Sequence, residues 1–142
     1  MNKIEESFYA YGHEKIKSTH KTTLEITKED YLTEKGDCIV AIKSEKSCAD
    51  LNNDLKNAIR KDGSKVLIKL VVGNEIETVE AYGSKKLILN NSTSMVIRKS
   101  EYIDDRTLAI RSNKSANDLR RDFIDLLKDN NVKIKIVIEV LV

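Results

Sequence analysis

The chain carries "AIKSEKSCADL" at residues 41–51 and "AIRSNKSANDL" at residues 109–119. Either a phosphate-binding loop is used twice, or one structural unit is written twice. The surroundings favour the second reading. "AYGHEKIKSTHKTTLEITKEDYL" (10–32) aligns without gaps on "AYGSKKLILNNSTSMVIRKSEYI" (81–103), and residues 40–72 then run in step with 108–140. Shared identities and a shared hydrophobic phase over such a length indicate a tandem duplication. Repeat one covers about 4–73 and repeat two about 74–142, within a single domain spanning 1–142.

Each repeat predicts the same elements. Phe8 and Ala10, or Val79 and Ala81, mark a period-two strand ended by Gly12 or Gly83. A second extended run is expected at 15–18 and 86–89. Leu24 and Ile26, matched by Met95 and Ile97, give another strand, and short strands follow at 38–43 and 106–111. A helix then places Cys48, Leu51, Leu55, Ala58 and Ile59 on one stripe, repeated by Ala116, Leu119, Phe123, Leu126 and Leu127. Gly63 and Asn131 stand where a left-handed residue would end these helices. Val66, Ile68, Leu70 and Val72 alternate inward in the last strand, as do Ile134, Ile136, Ile138 and Val140.

Gly73-Asn74, inside "KLVVGNEIETV", predicts a tight hairpin joining the repeats. A pseudo-twofold axis would pair 133–142 with 3–11 in the same way. The expected fold is therefore α+β: a β-rich unit with one helix, used twice, its mainly antiparallel strands closed into a barrel-like sheet.

Composition excludes little but points one way. Of 142 residues, 34% are charged and the formal net charge is only +2, with both signs interleaved. That balance disfavours nucleic acid and anionic membrane surfaces, as does the lack of an aromatic stacking platform. No apolar run is long enough to cross a bilayer as a helix. The opening "MNKIEESFYAYG" lacks the pattern of a secretion signal, so a cytoplasmic location is expected, with Cys38 and Cys48 reduced.

In the repeated phrase, Ser47 with Asp50 and Ser115 with Asp118 fit a capping arrangement. The competing reading sets Lys46 or Lys114 beside a helix N-terminus to hold phosphate. No glycine-rich approach supports it, and the two aspartates oppose it.

Residues shared by the repeats serve the fold, which leaves those unique to one repeat for other work. Repeat one has His13, His20, Lys21 and Glu25 where repeat two has Ser84, Asn91, Ser92 and Val96. It also carries "TEKGDC" (33–38), against a shorter link through Asp104, Asp105 and Arg106. Three chemistries follow. A metal site would draw on His20, Asp37 and Cys38, whose donor types suit zinc, but the spacing is poor. His13 and His20 lie roughly 23 Å apart on an extended chain, and His20 and Glu25 fall on opposite faces of a straight strand. Catalysis would use His20 with Glu25, Asp37 or Cys38, including a thiolate–imidazole pair. The least demanding reading is a binding surface of His13, His20, Lys21, Thr23, Glu25 and Thr27 for a small ligand or protein partner. No cofactor is specified.

The runs "GHEKIKSTHKTTLEIT", "LTEKGDCIVAI" and "SMVIRKSEYIDDRTLAIR" resemble an uncharacterised archaeal family, domain of unknown function 371. His13, His20, Thr22, Glu25, Asp37 and Cys38 match its characteristic positions; Glu34 departs from a proline common there. The resemblance implies a cytoplasmic archaeal protein with a duplicated α+β fold. It carries no activity, substrate or cofactor. A ligand- or partner-binding module is thus the expected function, and a small, metal-assisted enzyme the alternative.

Overall fold

The larger sheet follows from alternation in four long strands. A computed structural model describes residues 2–141; Met1, and Val142 at the end of the expected last strand, lie outside the described residues. β1 (Lys3–Tyr11), β4 (Lys65–Val72), β5 (Glu75–Tyr82) and β8 (Lys133–Leu141) form one sheet in the order β1-β8-β4-β5, antiparallel throughout. Phe8, Ile68, Val79 and Ile138 all point to one face and are buried. Gly73, with φ +58°, opens a two-residue turn that pairs Val72 with Glu75. The chain's ends pair likewise, Lys3 with Leu141 through to Tyr11 with Lys133.

The second sheet has the order β3-β2-β6-β7, from β2 (Thr23–Thr27), β3 (Ile39–Ala41), β6 (Ser94–Arg98) and β7 (Thr107–Ala109). β2 and β6 run antiparallel at its centre, and each has its own short strand beside it in parallel. Side chains of both sheets and of the helices α1 (Asn53–Ile59) and α2 (Arg121–Leu127) join in one hydrophobic cluster. Both halves pass through these elements in the same order. They even share their strained backbone: among the described residues, the positive-φ residues other than glycine are Ser18 and Leu89, at corresponding places, and Lys43 and Arg111, likewise.

Four expectations need correction. The sheet does not close into a barrel: its edge strands β1 and β5 meet the edges of the second sheet only at single bridges, just past β3 and β7. Ile42 bridges Tyr11 and Ile110 bridges Tyr82, while Glu45 and Asn113 bond the backbones of Tyr9 and Glu80. Residues 15–18 and 86–89 are not strands; the left-handed turns at Ser18 and Leu89 fold those runs inward without a sheet partner.

The apolar stripe beginning at Cys48 is not one helix either. A 3₁₀ turn, Cys48–Asp50, is followed by extended Leu51 and Asn52 (ψ 148° and 145°) before α1 begins. The buried carboxylate of Glu6 takes the Asn52 N–H at 2.9 Å, which ends one element and starts the next. Ala116–Asp118, Leu119 and Arg120 repeat the break, with Glu77 accepting from Arg120 at 2.6 Å. Finally, Gly63 is left-handed as expected (φ +74°), but Asn131 is not among the positive-φ residues. Its N–H bonds Asp129 Oδ1 instead.

The helix ends are exchanged between the halves. Gly12 and His13 receive the end of α2, with His13 N–H donating to Leu127 O; Gly83 and Ser84 receive the end of α1, with Ser84 N–H donating to Ile59 O. A Cβ on Gly12 would stand 2.2 Å from Leu127 O, and one on Gly83 would stand 2.0 Å from Ile59 O. Neither carbonyl can retreat without moving a helix. Gly73 has open space, so only its φ is at stake. In urea unfolding, Gly83→Ala should therefore lose about 3 kcal/mol through overpacking, and Gly73→Ala about 1 kcal/mol through backbone strain alone. Equal losses would show that the close approach does not govern stability.

Candidate functional site

The repeated phrase resolves into structural parts. Ser44 Oγ donates to Lys46 O, and Ser112 Oγ donates to Lys114 O, both at 2.7 Å. Lys46 Nζ is ion-paired with Glu6, and Lys114 Nζ with Glu77 at 3.1 Å. The carboxylate of Asp50 accepts from both the N–H and the hydroxyl of Ser47, and Asp118 does the same for Ser115. Lys28 and Lys99 close these groups at 3.0 and 2.7 Å. The Lys99 hydrogen bond and the Ser115 N–H hold the Asp118 carboxyl down at about 2. A phosphate here would meet engaged lysines and a fixed negative charge. The phrase builds the turn.

The two histidines also have structural duties. Nδ1 of His20 accepts the N–H groups of Thr22 and Thr23 at 3.2 and 3.1 Å. In the other half, Oδ1 of Asn91 accepts those of Thr93 and Ser94 at 2.9 and 2.8 Å. Nδ1 of His13 accepts the Lys15 N–H at 3.0 Å, as Oγ of Ser84 accepts that of Lys86 at 3.1 Å. An acceptor at Nδ1 leaves the ring proton on Nε2. His13 sits against the end of α2, whereas the His20 carbonyl accepts from Asn117 N–H. They belong to different turns and do not meet in one site.

Part of the first-half set does converge, on the face of β2 turned away from Leu24 and Ile26. Thr23 Oγ1 lies 3.0 Å from His20 Nδ1. The Cys38 thiol donates to Glu25 Oε1 at 3.5 Å. Burial pushes that thiol up to about 12, with the Glu25 charge adding to it and the neighbouring Thr23 hydroxyl partly offsetting it. Because His20 precedes β2 in a turn, strand parity does not separate it from this group. Asp37 contributes through its backbone, its carbonyl accepting from Thr19 and His20 at 2.9 and 3.2 Å. Lys21 is exposed at the rim. Thr27 is fully buried, its hydroxyl holding the Glu29 N–H, and is no part of a surface.

Among the described residues, no group of three or more His, Cys, Asp or Glu side chains comes together as metal ligands. Cys48 is buried beside Arg106 O at 3.4 Å, and burial pushes its thiol up to about 12 as well. A groove of about 340 Å³, lined by Ile4, Glu5, Asn52, Asn53, Asp54 and Leu55, shares no residue with the His20 group.

Arg98, not singled out by the sequence reading, faces Thr23 across the strand pair. Its guanidinium bonds Thr107 Oγ1 at 2.9 Å and Asp104 at 3.1 Å and lies 4.9 Å from the centre of the Tyr102 ring. The second half thus fills this face with a closed polar network. Its one sequence signal was an arginine at a strand position matching Thr27.

The chain belongs to the family described as domain of unknown function (DUF371), whose profile matches residues 8–141. It is 48% identical over 120 residues to an uncharacterized protein of the archaeon Methanocaldococcus jannaschii, covering 84% of this chain and 88% of that one.

Two outcomes are expected. His20→Asn should leave the unfolding midpoint unchanged, since an amide oxygen does the same work in the other half, whereas His20→Ala should lose about 1 kcal/mol. Iodoacetamide at pH 7.5, read by mass spectrometry, should leave Cys38 and Cys48 of the native protein unmodified on a timescale that labels denatured protein fully. Fast alkylation of Cys38 would restore it as a nucleophile.

Proposed function

We propose that this chain is a ligand- or partner-binding module, formed by fusion of two copies of one β-rich unit, with its working surface on the first half. The observation that supports it most is the gathering of His20, Thr23, Glu25 and Cys38 on one face of β2, where the second half has Asn91, Ser94, Val96 and Arg106. Lys21 rims the same face; His13 does not contribute to it. Sharing of strained backbone positions between the halves supports the fusion. The rival reading, a small enzyme, would need an activated nucleophile or base. Cys38 is held as a neutral thiol, and His20 Nδ1 is spent on the backbone. We place the protein in the cytoplasm, where its two free thiols would stay reduced.

A fragment screen read by amide chemical shifts of the ¹⁵N-labelled protein tests the surface. Hits should move residues 19–27 and 37–38. Hits confined to 91–98 and 105–106, or to the groove at Ile4 and Asn52, would overturn the placement.

A further inference from the structure

Four glutamates among the described residues are buried to 9% exposure or less: Glu6, Glu25, Glu77 and Glu139. Three face a cation. Glu6 has Lys46, Glu77 has Lys114 at 3.1 Å, and Glu139 has Lys69 at 2.9 Å and Lys3 at 3.5 Å. Glu25 has none among the described residues; its one side-chain hydrogen bond comes from the Cys38 thiol, onto Oε1. Among the described residues no fully buried side-chain oxygen lacks a partner, so Oε2 reaches the surface. Arg98, on the adjoining strand, is committed on its β7 side to Asp104, Thr107 and the Tyr102 ring. Lys21 makes no ion pair among the described residues.

A carboxylate that has given up most of its water without gaining a cation is costly. The fold does not require it, because Val96 occupies the matching position opposite it across the β2–β6 pair. Local rules of this kind, such as the pairing of buried charge, are broken most often at functional sites.

We propose, building on the binding-module reading above, that Glu25 anchors a recognition site for a positively charged nitrogen group, an ammonium or a guanidinium. Its outer oxygen accepts the ligand's N–H, and the Thr23 hydroxyl offers a second acceptor beside it. The Cys38 thiol fixes the other oxygen and so orients the carboxylate. The group is carried either by a small amine or by a lysine or arginine of a protein partner.

The test titrates the full ¹⁵N-labelled chain with agmatine, with spermidine, with a neutral-capped hexapeptide bearing one lysine and one arginine, and with glutarate as the anionic control. The cationic probes should move the amides of residues 23–26 and 37–39, and Glu25→Gln should weaken them by roughly tenfold or more, the loss expected for a charge-assisted hydrogen bond. Agmatine or spermidine binding at least as tightly as the peptide assigns a free amine; a peptide tenfold tighter assigns a partner side chain. Without probe, the thermal midpoint of Glu25→Val should hold or rise, because an unpaired charge is removed. A fall in that midpoint, or equal cation binding by Glu25→Gln, overturns the proposal. Should glutarate or neutral fragments alone move the same amides, the cation class fails while the binding surface stands. If no probe or fragment moves them, both fail.

Discussion

The structure depends on two points where backbone meets backbone with no room for a side chain. At Gly12 the end of α2 presses on the segment leaving β1, and at Gly83 the end of α1 presses on the segment leaving β5. Each half therefore finishes the other. The paired carboxylates Glu6 and Glu77 hold the opposite ends of the same helices, binding the N–H groups of Asn52 and Arg120 together with a lysine apiece. With both ends fixed, each helix lies where its apolar side joins the common core. Helices of seven residues would be unstable alone. Their stability comes from these anchors and from packing.

The strands were the legible part of the fold. Alternation at Val66, Ile68 and Leu70 and at Ile134, Ile136 and Ile138 is a direct record of one buried face, and Gly73-Asn74 announces its turn. Pairing of the chain's ends followed from the internal match and is present. Where elements are set by long-range bonds, sequence period misleads. Cys48, Leu51 and Leu55 keep helical spacing although the backbone at Leu51 and Asn52 is extended, because a distant glutamate decides where the helix starts. The runs ending at Ser18 and Leu89 read as strands because their left-handed turns use ordinary residues rather than glycine. The barrel failed for a related reason: Ile42 and Ile110 reach Tyr11 and Tyr82 by a single bridge each rather than a full ladder, and periodicity does not report how far a pairing extends.

Comparing the halves located the distinctive face but misjudged some of its members. His13 and His20 differ in kind from Ser84 and Asn91, yet one ring nitrogen of each does the same turn-capping work as those side chains. A difference in residue type is therefore not a difference in task unless the contacts differ too. Glu25 passes that stricter test, since Val96 neither accepts a hydrogen bond nor carries a charge. Asp37 fails it, contributing a carbonyl that any residue possesses. Sequence could not separate these cases, because side-chain burial and backbone bonding are decided by segments far away along the chain.

Because Lys3 lies beside Leu141 just as Val72 lies beside Glu75, the eight strands of the described residues have no natural first member. Topologically the backbone is a ring that happens to be open between β8 and β1. A short linker there, with the break moved to the Gly73 turn, would give a circular permutant retaining every interstrand bond. The order in which the ribosome delivers the segments is thus a separate matter from the architecture they reach.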